Sequence, residues 1–162
     1  MTESFQVDVS GMQKAFDEFK AISGVKRILS FGGWSFSTDY DTFPIFRQGV
    51  TAAQRQTFAN NVASFIVDQG LDGVDFDWEY PGAPDIPGVP PGSPEDGPNY
   101  LAFLKLVRAA LPAGMSIGIA APASYWYLKG FPISDIASVV DYIVYMTYDL
   151  HGQWDYGNSF ST

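Results

Sequence analysis

The sequence contains no cysteine and only one histidine. Disulfide bonds and thiolate metal sites are therefore excluded, and so is any metal centre built from several histidines. Long apolar stretches are also missing, because no run approaches the roughly 18 residues that a membrane-spanning helix needs. Residues 1–10 lack the basic start and apolar stretch of a signal peptide. The sequence thus indicates no export signal and no membrane partner.

Basic residues are scarce as well. Nine Lys and Arg stand against 18 Asp and Glu, which gives a net charge of −9. Proteins bind phosphate backbones through Lys and Arg, so this balance argues against a nucleic-acid partner, whereas a neutral polymer would not be repelled. Aromatic residues, by contrast, make up 16% of the chain. They serve either a large core or flat platforms for sugar rings, and composition leaves both interpretations open.

The spacing of apolar residues predicts helices that alternate with strands. Capping patterns at Ser10 and Thr51 precede helices with one apolar face. The predicted helices lie between residues 10 and 24, between 51 and 70, at 99–111 and at 133–138. The predicted strands are 25–31, 71–78, 115–121 and 140–148. Such alternation favours an α/β fold with parallel strands joined by crossover helices.

Two parallel architectures fit this order, a closed barrel and an open doubly wound sheet. A complete eight-stranded barrel takes about 250 residues, whereas this chain has 162. It offers four strands, or five if residues 5–9 form one. The chain therefore looks like part of a barrel rather than a whole one, in a single domain over 1–162.

Residues 81–98 differ from the rest of the chain. They hold seven of the 11 prolines and four glycines, a density that excludes regular helix or strand. A loop of this length within a domain is usually functional or disordered. Because it follows the strand at 71–78 directly, we expect it to overhang the end of that strand.

Three acids alternate along the strand at 71–78. Side chains of a strand point to opposite faces in turn, so Asp75, Asp77 and Glu79 share one face. Crowding and burial raise the pKa of at least one carboxyl in such a group. A protonated carboxyl is what a general acid needs, and active sites of parallel barrels lie at the carboxyl ends of the strands. Glu79, nearest that end, is therefore the predicted acid.

Two other interpretations of this acid cluster stay open. The carboxylates can be held by buried hydrogen bonds alone, although three buried acids are a poor choice for stability. They can also bind magnesium. A calcium loop of the EF-hand type is not indicated, because Tyr80 and Ile86 occupy the positions where that loop needs Gly and Glu.

Three motifs resemble those of glycoside hydrolase family 18, the chitinases. They are DGVDFDWEYP at 72–81, SFGGW at 30–34 and MTYD at 146–149, and they occur in the family's order. The long Pro/Gly loop and the YDLHG stretch at 148–152 resemble the fungal killer-toxin-like branch. The resemblance implies a (β/α)8 barrel and an endochitinase-type glycosidase.

The resemblance also implies a substrate-assisted, retaining mechanism. Glu79 would protonate the leaving oxygen, and Asp77 would orient the substrate's own acetamido group, which acts as the nucleophile. Asp75 would share a proton with Asp77, and Tyr148 would hydrogen-bond the acetamido carbonyl. No metal and no organic cofactor is implied. The implied partner is chitin or N-acetylglucosamine oligosaccharides, and the implied location is extracellular.

Further residues are predicted to contact the sugar. The predicted substrate-binding residues are Gly32, Gly33, Trp34, Tyr80, Met146 and Asp149. Tyr125, Trp126 and Trp154 are further candidates, and for the aromatic residues at 125–127 ordinary loop packing is an equal alternative. Oligomeric state is not indicated.

The sequence departs from the family in lacking most of the first two strands and everything after the sixth. We expect open edges at the terminal strands and weak or no activity of this chain alone. An alternative function is a non-catalytic chitin-binding module, although such lectins usually lack the glutamate found at Glu79. An endoglycosidase acting on N-linked glycans and a metal-dependent hydrolase are further alternatives.

Overall fold

The computed structural model describes residues 1–157, apart from the side chain of Trp154. This part contains four strands: β1 (Ile28–Gly32), β2 (Gly73–Asp77), β3 (Ser116–Pro122) and β4 (Tyr142–Met146). The helices are α1 (Gln13–Lys20), α2 (Trp34–Thr38), α3 (Phe43–Gly49), α4 (Arg55–Asp68), α5 (Asp96–Ala110), α6 (Tyr125–Leu128) and α7 (Ile133–Ile136). Short 3₁₀ turns occupy Ser10–Met12 and Gln153–Asp155.

The four strands form one parallel sheet in sequence order, β1-β2-β3-β4. In register, Leu29 lies beside Val74, and Val74 lies beside Ile117. Each strand pairs with the next one along the chain, without the reversal of order that marks a doubly wound sheet. The sheet is an arc of a (β/α)8 barrel, which confirms the predicted fold class.

One layer of helices covers the outer face of this arc. Val74 and Phe76 of β2 are fully buried, and the Phe76 ring lies 5.1 Å from the ring of Phe103 in α5. Phe103 in turn stacks on Phe58 of α4 at 4.5 Å. The apolar set of the alternating strand therefore faces the helices, as predicted, and leaves the opposite face for the acids.

The strands of the described sheet differ in their burial. All seven residues of β3 are buried, whereas β4 leaves Val144 and Tyr145 about half exposed. Strands β1 and β4 lie at the two edges of the four-stranded arrangement, as we expected of the terminal strands.

Several predicted boundaries were wrong. Strand β2 ends at Asp77, so Glu79 lies just beyond it. Residues 5–9 do not form a strand; Phe5 has a positive φ of 61° and packs against Phe58 at 5.6 Å. The capping boxes predicted from Ser10 and Thr51 are also absent from the described ends of α1 and α4. Gly70, with a φ of 65°, follows the C-cap of α4 in the left-handed conformation that commonly ends a helix.

The Pro/Gly segment is shorter than predicted and well anchored. Helix α5 begins at Asp96, so residues 96–98 belong to it, and Pro98 lies in the first turn, where its missing N–H costs nothing. The buried carboxylate of Asp96 accepts hydrogen bonds from the N–H groups of Gly82 and Ser93, both at 3.1 Å. These bonds close the base of the loop.

The sequence reasoning missed the short helices α2, α3 and α6. Each has seven residues or fewer, too few to repeat an apolar period. Among residues 1–157, no helix has the length and apolar character that crossing a membrane requires.

Candidate active site

The three acids of the central motif lie at the carboxyl end of β2. Asp75 and Asp77 belong to the strand, and Glu79 follows two residues later. Asp75 is 7% exposed and Glu79 is 9% exposed, while Asp77 is half-buried. The backbone N–H of Glu79 donates a hydrogen bond to the hydroxyl of Ser37 on α2, at 3.0 Å. Helix α2, which follows the neighbouring strand β1, thus fixes the backbone of Glu79, the predicted acid.

The carboxylates of Asp75 and Asp77 form a pair in which only some oxygens have hydrogen-bond partners. The hydroxyl of Ser30 on β1 donates to Asp75 Oδ2 at 2.8 Å. The other oxygens, Asp75 Oδ1 and Asp77 Oδ1, are buried and have no hydrogen-bond partner within the described chain. Burial raises the pKa of Asp75, and burial together with the charge of Asp75 raises the pKa of Asp77. The pair is therefore suited to hold a proton and to receive a polar group of a ligand.

Glu79 has the electrostatics of a general acid. Burial, then the charge of Asp77, raises its pKa from 4.5 to about 6, although a hydrogen bond with Tyr80 works in the opposite direction. A carboxyl with this pKa is partly protonated in mildly acidic solution and can both give and take a proton.

Gly32 and Gly33 let β1 turn sharply beside this pair. Gly32 has a φ of 123° and Gly33 a φ of 94°, values that disfavour any residue with a side chain. A Cβ at Gly32 would collide with the backbone carbonyl of Asp77. The N–H of Gly33 donates to that same carbonyl at 2.8 Å. The two glycines therefore tie the end of β1 to the end of β2.

A cavity of about 370 Å³ opens at the same end of the sheet. Five residues from the predicted set line it, namely Trp34, Tyr80, Met146, Tyr148 and Asp149. They come from the connections after three different strands and are brought together only by the fold. Cavities of this size accommodate small organic ligands.

Stacking between aromatic side chains orders the lining of this cavity, hereafter the strand-end cavity. Asp75, Asp77 and Glu79 are not among its lining residues. Tyr80 is buried and stacks on Tyr127 at 4.7 Å with an interplanar angle of 20°. Trp34 lies 6.4 Å from Tyr80 and is 50% exposed, so part of its ring is open to a ligand. The side chain of Trp154, another candidate, lies outside the described residues.

Tyr148 and Asp149 lie beyond the end of β4 and are exposed. Desolvation, followed by the charges of Asp77 and Glu79, raises the pKa of the Tyr148 hydroxyl. The phenol therefore remains a hydrogen-bond donor at neutral pH. The charge of Asp149 also contributes to the raised pKa of Glu79.

The geometry gives the magnesium interpretation no support. Within residues 1–157 there is no group of three or more His, Cys, Asp and Glu side chains placed to hold a metal ion.

Sequence reasoning assigned no role to Ser37 or to the hydroxyl of Ser30, and it left Tyr127 undecided. Ser30 is within a recognised motif, and its strand position opposite Asp75 could have been inferred from the register. The positions of Ser37 and Tyr127 could not, because both lie on short helices without a sequence signal.

Comparison with known proteins places this geometry in a family. The model for glycosyl hydrolases family 18 matches residues 2–162. A "Secreted chitinase LysM12" of Penicillium expansum is 62% identical over 143 residues, covering 88% of this chain and 10% of that protein. "Killer toxin subunits alpha/beta" of Kluyveromyces lactis is 52% identical over 160 residues, covering 98% of this chain and 14% of that protein.

A solved structure is similar as well. The Group II chitinase catalytic domain 2 of Ostrinia furnacalis, a mutant in complex with (NAG)5, has a TM-score of 0.76 and 28% identity; the match covers 91% of this chain and 39% of that one. The fold and the acid-bearing strand thus define a glycosidase-type barrel. The chain belongs to glycosyl hydrolases family 18, in its fungal killer-toxin-like branch. The match spans only 10% of the length of the Penicillium protein and 14% of that of the Kluyveromyces protein.

Proposed function

We propose that these residues form the core of a chitinase active site that hydrolyses β-1,4-linked N-acetylglucosamine, with Glu79 as proton donor. One observation carries the proposal: Glu79 is buried beside Asp77 with a pKa raised to about 6, at the strand end where parallel barrels hold their catalytic groups.

In the first step, the protonated Glu79 carboxyl gives its proton to the glycosidic oxygen. The carbonyl oxygen of the substrate's acetamido group attacks the anomeric carbon, the bond to the leaving sugar breaks, and a cyclic oxazolinium ion forms. Asp77 stabilises the positive charge that develops on the acetamido nitrogen, while the proton shared with Asp75 keeps the pair from carrying two full charges. The hydroxyl of Tyr148 donates to the acetamido oxygen and orients it.

In the second step, water attacks the anomeric carbon and opens the oxazolinium ring. Glu79, now a carboxylate, accepts the proton of that water and is restored for the next cycle. The nucleophile belongs to the substrate, so no second carboxylate attacks the sugar, and this is the difference from the usual two-carboxylate scheme. The protein's contribution is to position the acetamido group and to stabilise charge.

The strand-end cavity suits a neutral sugar chain. Trp34 offers an open ring face, and Asp149 and Tyr148 add polar contacts in the same wall. The related Penicillium protein is described as secreted and the related Ostrinia domain is in complex with (NAG)5. These support chitin oligosaccharides as substrate and an extracellular location.

The competing function is chitin binding without turnover. The presence of Glu79, Asp77 and Asp75 favours the enzyme, since a lectin has no use for a buried acid that costs stability.

The test is the substitution Glu79→Gln in an intact barrel that contains these residues, measured as release of the fluorescent aglycone from a chitobioside and as retention on chitin. We expect turnover to fall by about 10²-fold to 10⁴-fold, because the shape is kept and the proton is lost, while retention on chitin persists. The matched control is Glu95→Gln at an exposed position of the Pro/Gly loop, which should change neither.

Near-normal turnover by Glu79→Gln would show that another group is the proton donor. Binding to chitin without turnover by the unsubstituted protein would favour the lectin function. Absence of both would count against the proposal as a whole.

A further inference from the structure

The backbone of Glu79 lies beyond the paired part of the sheet. Strand β2 pairs with β1 as far as Gly32 and Asp77, and with β3 as far as Phe76 and Ile119. The residue that carries the candidate proton donor is therefore attached past the last ladder contact on both sides. Its backbone groups need other partners, and any movement of this segment displaces the Glu79 carboxyl.

The hydroxyl of Ser37 takes the place of a strand carbonyl. The N–H of Gly33 donates to the Asp77 carbonyl at 2.8 Å, so this edge of the segment faces β1. Continuing the parallel ladder would direct the N–H of Glu79 to the Gly33 carbonyl. That carbonyl instead points into α2, where it accepts the N–H of Ser37 at 3.0 Å. The Oγ of Ser37 accepts the N–H of Glu79 at 3.0 Å.

Ser37 is itself buried and supported. It is 5% exposed. The adjacent Phe36 makes an edge contact with Phe46 of α3 at 5.5 Å, and Phe46 stacks on Trp78 at 5.5 Å. Trp78 and Glu79 are consecutive residues, so α3 holds one through its ring and α2 holds the other through its N–H. The Glu79 carboxyl is then left mainly with rotation about its own side-chain bonds.

The serine contributes little to its own helix. Serine is a poorer helix former than alanine, and burying a hydroxyl costs free energy unless the group is hydrogen-bonded. An alanine would fit the same buried position of α2 without that cost. The bond that justifies a hydroxyl here is therefore the one to the Glu79 backbone.

We propose that Ser37 is a positioning residue for the proton donor, because its hydroxyl holds the backbone of Glu79 where the carboxyl meets the glycosidic oxygen. The inference rests on the proposed function and deepens it, by assigning part of the rate to a residue outside the three recognised motifs. The hydroxyl bonds to the backbone of Glu79 and acts through position. A misplacement of about 1 Å in an active site costs up to about 10²-fold in rate.

The experiment compares two substrates with an intact barrel that contains these residues. One is the tetrasaccharide of β-1,4-N-acetylglucosamine, whose sugar leaving group needs a proton. The other is a chitobioside with a dinitrophenyl aglycone, which leaves as a stable anion with little help from an acid. We expect Ser37→Ala to lower kcat/KM about tenfold to a hundredfold for the tetrasaccharide and less than about threefold for the dinitrophenyl substrate. Glu79→Gln should show the same selectivity more strongly.

Further variants separate position from stability. Ser37→Thr keeps a hydroxyl and should retain most of the activity on the tetrasaccharide. Ser37→Cys is close to serine in size but is a weak acceptor; it should resemble Ser37→Ala, and it decides the question if the alanine variant does not fold. The matched control is Ser35→Ala, the same change at an exposed position of the same helix, which should alter neither rate.

A merely structural role of Ser37 would lower both rates together. Equal losses on the two substrates, or no loss on the tetrasaccharide, would overturn the inference and leave the proposed function intact if Glu79→Gln still loses the tetrasaccharide selectively. If the parent cleaved neither substrate, or if Glu79→Gln cleaved both normally, the proposed function would fail and the inference with it.

Discussion

At the scale of single residues, neighbouring acids of one segment experience opposite environments. Asp72, at the start of the segment, accepts the N–H of Arg27 at 2.8 Å, and that hydrogen bond is the main cause that lowers its pKa. Glu79, seven residues later, is buried near other carboxylates, and its pKa rises to about 6. Desolvation and neighbouring charge, rather than the chemical identity of the carboxyl group, therefore set the pKa that separates a structural acid from a candidate catalyst.

The raised pKa of Glu79 predicts how stability depends on pH. Between about 4.5, the ordinary value, and about 6, the folded state binds more protons at this carboxyl than the unfolded state does. The free energy of unfolding contributed by Glu79 therefore falls as pH rises through that window. Because Glu79→Gln lacks this titration, its stability relative to the parent should increase from pH 4.5 to pH 6 and level off above it. Denaturant unfolding at a series of pH values measures this difference.

Glu95→Gln, at an exposed position, controls for the loss of one negative charge and should show no comparable rise. A stability difference between Glu79→Gln and the parent that is constant over the window would mean that Glu79 is not desolvated in the folded protein. Asp75 and Asp77 remain in both proteins, so their own raised pKa values cancel from the comparison to first order.

At the scale of elements, the Pro/Gly loop shows how a segment without regular structure becomes ordered. Its backbone groups find partners in side chains rather than in a ladder, above all the buried carboxylate of Asp96, which accepts two N–H groups. Arg47 supplies a donor for two loop carbonyls. Prolines reduce the number of backbone donors that need partners and limit the conformations of the unfolded chain.

Asp96→Ala should therefore loosen this loop. The substitution leaves the N–H groups of Gly82 and Ser93 without their acceptor, at a cost of about 2 kcal/mol in the free energy of unfolding. Asp96→Asn keeps an acceptor oxygen in place and should lose less, about 1 kcal/mol. Denaturant unfolding gives both values, and amide hydrogen exchange at Gly82 and Ser93 locates the effect. Unchanged exchange at those two amides in Asp96→Ala would contradict the assigned anchoring role.

At the scale of the whole molecule, one aromatic cluster joins the sheet to the helices. Phe103 lies at its centre and contacts Phe58 of α4 and Phe76 of β2. Together with many other buried side chains it belongs to a continuous core that reaches from Phe5 to Met146. A core shared by elements this far apart in sequence favours unfolding as one unit.

Phe103→Ala should consequently destabilise the whole fold, by about 3–5 kcal/mol, because it leaves a cavity between three elements. The variant should unfold at a lower denaturant concentration. The unfolding curves followed by fluorescence and by circular dichroism should still coincide. Lys105→Ala, at an exposed position of the same helix, serves as control and should change stability little. Separate transitions for the two probes in the parent protein would contradict the expectation of a single domain.

Much of this architecture was predictable because it depends on local patterns. The alternation of apolar residues in 71–78 predicted a strand with acids on one face, and the order of helices and strands predicted a parallel arc of a barrel; the fold class is confirmed. Element ends were less predictable, since β2 spans Gly73–Asp77 rather than the predicted 71–78. The functional roles of the ten predicted site residues remain predictions that the experiments above address.

The sequence by itself determined which residues could do the chemistry: the acids at 75, 77 and 79, the glycines after β1 and the aromatic residues near strand ends. Tertiary structure alone decided which of them share a cavity, which hydroxyls hold them, and that Asp85 of the Pro/Gly loop accepts the indole N–H of Trp126. The physical reason is the separation along the chain over which each interaction acts. Periodicity and turn chemistry act over a few residues, whereas burial, charge coupling and contacts across 40 or so positions exist only once the chain has folded.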